Sequence, residues 1–305
     1  MADANAQSTT TDREPWTVRR LLDWTVGFFC QRQVEGGRLA AELLLARALG
    51  CRKIELYARF DQEPAAEERA AFRELVKRAG GHVPIAYLLG FREFYSLDFE
   101  VTPAVLIPRP ETEALAQRMI DLCRGEPLRI WRICDVGTGS GCVAAAVARY
   151  AANALLVATD VSVEALEVAG RNVASHGLTE RVSLVEADGL KMPAVAVPEG
   201  GFDAIVTNPP YVPLKEWEML PPHIREHEPR IALVGQGEDG LWMYRRLAAE
   251  APGVLRAGGV LLAEIGHDQR EPVKAIFAAA GGWSFAGCYR DATDPHDRVV
   301  EFRYG

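Results

Sequence analysis

Across its 305 residues the chain has no apolar run long enough to cross a bilayer, no C-x-x-C pair and no stretch dominated by lysine and arginine. The first absence points away from a helical membrane protein, since a spanning helix needs about 20 consecutive apolar residues. The opening MADANAQSTTTDREP is polar, carries acids and lacks the apolar core of a secretory signal, so a cytoplasmic protein with a disordered tail over residues 1–14 is expected. Cys30, Cys51, Cys123, Cys134, Cys142 and Cys288 are scattered, which predicts reduced thiols buried as small apolar groups, not a disulfide framework or a zinc site. Charge is uneven. Residues 1–88 carry 13 basic and 12 acidic side chains, and residues 89–305 carry 21 and 30, a net charge of −9 for the larger part. Duplex nucleic acid is bound non-specifically by lysine and arginine replacing counterions, so that part is a poor footprint for it.

What the chain does have is 49% hydrophobic residues, enough for a sizeable core and for more than one domain. From Trp16 to about Gly80 apolar residues recur at helix spacing: Val18, Leu21, Leu22 and Thr25, then Leu39, Leu43 and Ala46, then Phe72, Leu75, Val76 and Ala79. Glycines at 36–37, 50 and 80–81 punctuate these helices. The amphipathic VRRLLDWTVGFF reads as core packing, not membrane contact. Around residues 87–101 the composition turns aromatic and β-branched, which predicts a short hairpin between two domains, followed by Pro103, Pro108 and Pro110. Beyond it strands alternate with helices: IWRICDV, a helix over about 141–150, ALLVATDV, a helix over 163–175, RVSLVEAD and FDAIVT. A helix over 240–251, GGVLLAEIG, a helix over about 269–280 and the runs FAGCY and RVVEFRY complete the series. This is the rhythm of a doubly wound α/β sheet. The expected division is a helical domain over 15–86, a hairpin linker over 87–107 and a catalytic domain over 108–305.

The residues suited to chemistry cluster at strand ends. DVGTGSG, residues 135–141, places glycines where a strand turns sharply into a helix and a ligand approaches the backbone. Taken alone it also fits a dinucleotide fingerprint, with Asp160 about 20 residues on, so a nicotinamide-dependent oxidoreductase stays open at this point. Asp160 and Asp188 end the next strands, at the edge where open α/β sheets bind ligands. Asp160 is placed to accept from two ribose hydroxyls. Asp188 is placed to accept from an adenine amine or to cap the segment after it. NPPY, residues 208–211, ends the fourth strand. A side-chain amide, two carbonyls without N–H partners and a flat ring fit recognition of a planar nitrogen-bearing group. HIREH at 223–227 matches a zinc-peptidase string, but it comes after two prolines and has no third ligand, so it reads as a surface segment.

Together DVGTGSG, Asp160, Asp188 and NPPY resemble the motifs of S-adenosylmethionine-dependent methyltransferases acting on planar nitrogens. LGFREFYSLDFEVTPAVLIPRPETEAL, residues 89–115, is similar to the linker and catalytic entrance of the bacterial glutamine methyltransferases that modify peptide chain release factors. EPRIALVGQGEDGLWMYRRL at 228–247 and GGVLLAEIGHDQ at 258–269 are similar to later segments of that family. The resemblance implies a Rossmann-like, seven-stranded mixed sheet behind a small helical N-terminal domain that docks the substrate. It implies S-adenosylmethionine as cofactor, held by Gly137, Thr138, Gly139, Ser140, Gly141, Asp160, Asp188, Gly189 and Asn208, and no metal. The substrate it implies is the glutamine of a Gly-Gly-Gln motif in class 1 release factors, bound by Asn208, Pro209, Pro210 and Tyr211, with Asn208 and Tyr211 catalytic and no nucleic-acid substrate or membrane contact. Asn208 and the Pro209 carbonyl are expected to accept the two amide protons while the Tyr211 ring stacks on the carboxamide. Gly189 stands where relatives often carry a bulky aromatic. A sister group that methylates a large-subunit ribosomal protein has a PRSP-like entrance, whereas residues 108–113 here read PRPETE. An adenine or guanine amino-methyltransferase with a related D/N-PP-Y/F motif is the other alternative, and the net charge of −9 counts against it.

Overall fold

The computed structural model describes residues 15–290 and 296–305, and the expected tail over 1–14 lies outside the described residues. The chain divides into two compact units, Met1–Leu89 and Gly90–Gly305. In the first, α1 (Val18–Gln31), α2 (Gly37–Ala48), the short α3 (Glu55–Ala58), α4 (Ala66–Gly80) and α5 (Ile85–Leu89) surround one apolar cluster. Val18, Leu21, Leu22, Thr25 and Phe29 form the buried stripe of α1 and pack with Leu44, Leu45, Phe72 and Val76, so VRRLLDWTVGFF is a core face. Thr17 caps this helix by accepting from the Arg20 N–H at 3.3 Å. The start of the expected hairpin is displaced. Residues 85–89 are helical, because Pro84 begins a turn in which the Leu88 N–H donates to its carbonyl and Leu88 is buried in the helical cluster. Gly90, at φ +84°, makes the change of direction.

The second unit opens with the hairpin of β1 (Phe91–Phe94) and β2 (Leu97–Glu100), whose two-residue turn is Tyr95-Ser96. Both turn residues have positive φ, +53° and +59°, where glycine or asparagine is usual. Tyr95 is held there by its surroundings. Its N–H donates to Glu113 Oε1 at 2.8 Å, its hydroxyl donates to Gln117, and its carbonyl accepts from Tyr150 at 3.1 Å.

The remaining elements are α6 (Glu113–Gly125), β3 (Trp131–Val136), α7 (Cys142–Tyr150), β4 (Ala154–Asp160), α8 (Val163–Ser175), β5 (Val182–Glu186) and β6 (Phe202–Thr207). They continue with the short α9 (Pro222–Arg225) and α10 (Arg230–Leu233), α11 (Trp242–Glu250), β7 (Leu255–Glu264), α12 (Arg270–Ala280), β8 (Trp283–Tyr289) and β9 (Val299–Tyr304). The seven strands order as β5-β4-β3-β6-β7-β9-β8; the first five run parallel, and β9 is antiparallel to both β7 and β8. The seven-stranded mixed sheet is therefore as expected. Alternation along the strands divides the core between its faces: Ile133, Leu156, Ala204 and Leu262 pack with Leu115, Ile120, Val147 and Val173, while Cys134, Ile205, Leu261 and Ala263 pack with Tyr244, Leu247, Val273 and Phe277. Chain order reverses between β3 and β6, which opens a crevice beyond their carboxyl ends.

All six cysteines are free thiols. Burial was expected for each, and it holds for Cys123, Cys134 and Cys142; Cys51 and Cys288 are half-buried, and Cys30, one position beyond buried Phe29, faces solvent. HIREH lies on α9 and the turn after it, and among the described residues no cluster of acids, histidines and cysteines could hold a metal ion. Among the described residues no helix is long and apolar enough to cross a membrane.

Candidate active site

The carboxyl ends of β3, β4 and β6 open into one cavity of about 840 Å³. Its floor is the glycine loop. Gly137, Gly139 and Gly141 have φ of +71°, +55° and +78°, conformations that any side chain would strain, and a Cβ on Gly141 would lie 3.2 Å from that of Ala169. The loop is stapled at each step. The Thr138 N–H donates to the Thr159 carbonyl at 2.8 Å, the Thr138 hydroxyl to Asp135 Oδ2 at 2.7 Å, and the Gly139 N–H to Asp160 Oδ2 at 2.9 Å. Burial pushes the Asp135 carboxyl up to about 7, partly offset by the Thr138 hydroxyl. Ser140, buried, accepts through its carbonyl from Asn172 Nδ2 at 2.8 Å. Asn172 also donates to the Glu100 carbonyl at 3.0 Å and accepts from the Glu100 N–H at 2.7 Å, so one amide ties the hairpin, α8 and the glycine loop together.

Asp160 lines the cavity with both oxygens already engaged, Oδ2 by Gly139 and Oδ1 by the Ser162 N–H at 3.0 Å. Each carboxylate oxygen accepts more than one bond, so acceptor capacity toward the cavity is left over. Asp188 also lines the cavity, but its Oδ1 accepts from Arg246 Nη1 at 2.5 Å. Gly189 has φ +66°, a conformation that a side chain would strain, and it faces the Arg246 guanidinium. A Cβ on Gly189 would lie 2.9 Å from Arg246 Nη2, whose guanidinium sits over the Trp242 ring.

Asn208 and Pro210 line the same cavity, whereas Pro209 is buried behind the wall. Asn208 Nδ2 donates to Thr112 Oγ1 at 3.0 Å. Tyr211, expected to stack on the carboxamide, is not among the residues that line the cavity. It packs against the buried cluster that holds Tyr244, Leu247 and Phe277, and its hydroxyl donates to Glu264 Oε1 at 3.3 Å. The physical reason is the chain's exit: Gln269 Nε2 donates to the Tyr211 carbonyl at 2.9 Å, and Gly240 passes so close that a Cβ there would overlap that carbonyl oxygen. Burial and the neighbouring Glu264 raise the Tyr211 phenol above its ordinary value. Burial likewise pushes Glu264 up to about 7, against the opposing hydrogen-bonding influence of Thr112 and Tyr211.

Sequence reasoning passed over Thr112, Glu264, Gln269 and the pair Arg109 and Glu228. Buried Glu228 accepts from Arg109 Nη2 at 2.5 Å and from the Ile107 N–H at 3.1 Å, fastening the entrance segment to the start of α10 over the cavity. Glu264 did leave a signal, as the lone charge in GGVLLAEIG.

A doubly wound sheet, a glycine loop ending β3 and an Asn-Pro-Pro turn ending β6 in one cavity define a methyltransferase of the amide and amine class. Residues 20–90 match the PrmC N-terminal domain and residues 112–220 the methyltransferase small domain. The chain is 40% identical over 299 residues to the release factor glutamine methyltransferase of Rhodopirellula baltica, covering 96% of this chain and 98% of that protein. It is 42% identical over 294 residues to the protein of the same name from Geobacter sulfurreducens, again covering 96% and 98%. The chain belongs to the release factor glutamine methyltransferase family. The hMettl16 catalytic domain in complex with MAT2A 3'UTR hairpin 6 shares the fold, with a TM-score of 0.54 at 17% identity over 72% of this chain and 79% of that one.

Proposed function

We propose that the protein methylates the side-chain amide nitrogen of the glutamine in the Gly-Gly-Gln motif of class 1 peptide chain release factors, with S-adenosylmethionine as the methyl donor. The observation that carries this reading is the common cavity in which the glycine loop and the Asn208 amide face the same space. Near-full-length likeness to enzymes named for this substrate supports the choice of glutamine. The helical unit is assigned the docking of the intact substrate, and a substrate of the translation machinery assigns the enzyme to the cytoplasm.

The residues present suit the proposed cofactor. The Cβ positions of Gly137 and Gly139 open onto free space, and the Asp160 carboxyl keeps acceptor capacity for ribose hydroxyls. Asp188 and Gly189 would border the adenine in the cavity that Trp242 also lines, with Arg246 over the Trp242 ring. When bound, S-adenosylmethionine supplies an already activated methyl group on a sulfonium centre.

A carboxamide nitrogen is a weak nucleophile because its lone pair is delocalised into the carbonyl, so positioning does most of the work. Asn208 Oδ1 accepts an amide proton and favours loss of planarity at nitrogen, whereas Pro209, expected to share this task through its carbonyl, is not part of the cavity lining. Pro210 walls the cavity beside Asn208. Tyr211 acts from behind the wall, holding Glu264. A methylated, protonated amide is a strong acid, so its proton leaves to water without a dedicated base.

Mass spectrometry of an intact release factor and of large-subunit ribosomal proteins, each incubated with enzyme and S-adenosylmethionine, tests the reading. One added methyl group on the glutamine of Gly-Gly-Gln is expected. Methylation of a ribosomal-protein glutamine alone would move the enzyme to the sister group, and methylation of nucleic acid alone would overturn the carboxamide assignment.

A further inference from the structure

Thr112 occupies the position just before α6 where a threonine ordinarily accepts a hydrogen bond from the first turn of the helix, yet its side chain caps nothing. It is 2% exposed and its Oγ1 instead accepts from Asn208 Nδ2 at 3.0 Å. A hydroxyl has one proton to give. While Oγ1 accepts from Asn208, that proton needs an acceptor of its own, and burial makes an unmade bond expensive. The neighbouring acceptor is Glu264, 1% exposed at the end of β7. Its Oε1 is occupied by the Tyr211 hydroxyl, and its Oε2 is buried with no hydrogen-bond partner. Asn208, Thr112, Glu264 and Tyr211 thus stand in sequence, the first two in the cavity lining and the last two beyond it. Charged or neutral, Glu264 offers an unprotonated oxygen, and accepting there makes the Thr112 hydroxyl a donor toward it and an acceptor toward Asn208.

We propose that Thr112 is a positioning residue whose hydroxyl, set between the Asn208 amide and the Glu264 carboxyl, fixes which end of the Asn208 amide faces the cavity. An amide presents either an acceptor or a donor, and with Nδ2 held by Thr112 the oxygen is the end left for a ligand. The amide flipped about its terminal bond would present N–H groups to a substrate amide that also offers N–H groups, and the acceptor needed as the substrate nitrogen loses planarity would be missing. The inference rests on the glutamine methyltransferase reading for its consequence in catalysis. The orientation of Asn208 itself does not depend on that reading.

Two variants of the full-length protein separate positioning from packing. Thr112→Val keeps the shape and removes the hydroxyl, while Thr112→Ser keeps the hydroxyl and removes a methyl group. With an intact class 1 release factor as substrate, Thr112→Val is expected to lower kcat by about tenfold, the effect of one hydrogen bond of ordinary strength, with KM and cofactor affinity held. Thr112→Ser is expected to restore kcat to within about twofold of the parent, even where the lost methyl lowers Tm. In ¹⁵N-labelled protein the Asn208 side-chain NH₂ pair should exchange slowly with solvent in the parent and in Thr112→Ser, and rapidly in Thr112→Val. Parental kcat in Thr112→Val, equal losses in both variants, or an Asn208 NH₂ signal indifferent to the substitution would each overturn the proposal. A parent enzyme that leaves release-factor glutamine unmodified would instead refute the substrate reading, and the NH₂ exchange would still decide the role of Thr112.

Discussion

Asp160 has two tasks that the sequence presents as one. Its position at the end of β4 points to ribose binding, and the structure adds the support of Gly139 and Ser162. Asp160→Ala is therefore expected to weaken S-adenosylmethionine binding by about 1 to 3 kcal/mol, with loosening of the glycine loop included in the loss. Calorimetry of a folded variant measures this directly, and Asp160→Asn should recover part of it. Asn208 is expected to affect rate more than binding. Removing one preorganised hydrogen-bonding group from a transition state can take away about 2.7 to 4 kcal/mol, so Asn208→Ala should lose most of kcat while its cofactor affinity holds. Steady-state kinetics paired with calorimetry distinguishes this from a general loss of the site. The location of Tyr211 revises what its ring does. The contact to Glu264 makes the hydroxyl the polar group of interest and gives the ring a packing role.

The hairpin turn stores strain that can be released without touching the cavity. Ser96 is exposed and has φ +59°, so Ser96→Gly should stabilise the protein by about 0.5 to 1 kcal/mol in urea unfolding, because glycine enters the left-handed region without a Cβ clash. Tyr95 should not respond in the same way, since three hydrogen bonds hold its conformation. The elements differ in how plainly the chain announces them. Val163–Ser175 has a serine cap and regular apolar spacing, and its expected and observed bounds coincide. The carboxyl ends of β3, β4 and β6 are readable because glycine, aspartate and Asn-Pro-Pro interrupt buried runs there. Residues 85–89 mislead because YLL suits a strand as well as a helix until Leu88 is seen buried among helices. Thr112 and Glu264 lie far apart in the chain, and no local spacing expresses the side-chain contacts that bring them to Asn208.

At the scale of the whole molecule, two of the buried carboxyls of the catalytic unit, Asp135 and Glu264, are each pushed up to about 7 by burial. In the folded state each therefore keeps a proton that the unfolded chain gives up near its ordinary pKa of about 4. The folded form binds more protons across that interval, so these groups make stability fall as pH rises from about 4 to about 7, and their contribution is greatest below it. Glu264→Gln should remove its share, on the order of 3 kcal/mol at most. Urea unfolding at pH 5 and pH 8 should show the variant gaining on the parent at the higher pH. Asn172 links a different pair of distant parts. Its amide joins Glu100 at the end of the hairpin to Ser140 in the glycine loop, so a loop held still by its ligand also keeps the Glu100 N–H covered. Linkage is reciprocal, and whatever protection the cofactor lends that amide proton, the hairpin returns as affinity. Glu100 thereby becomes a built-in gauge: its deuterium uptake should slow on addition of S-adenosylmethionine and lose that response in Asn172→Ala, reading the occupancy of the site from a strand that has no part in the chemistry.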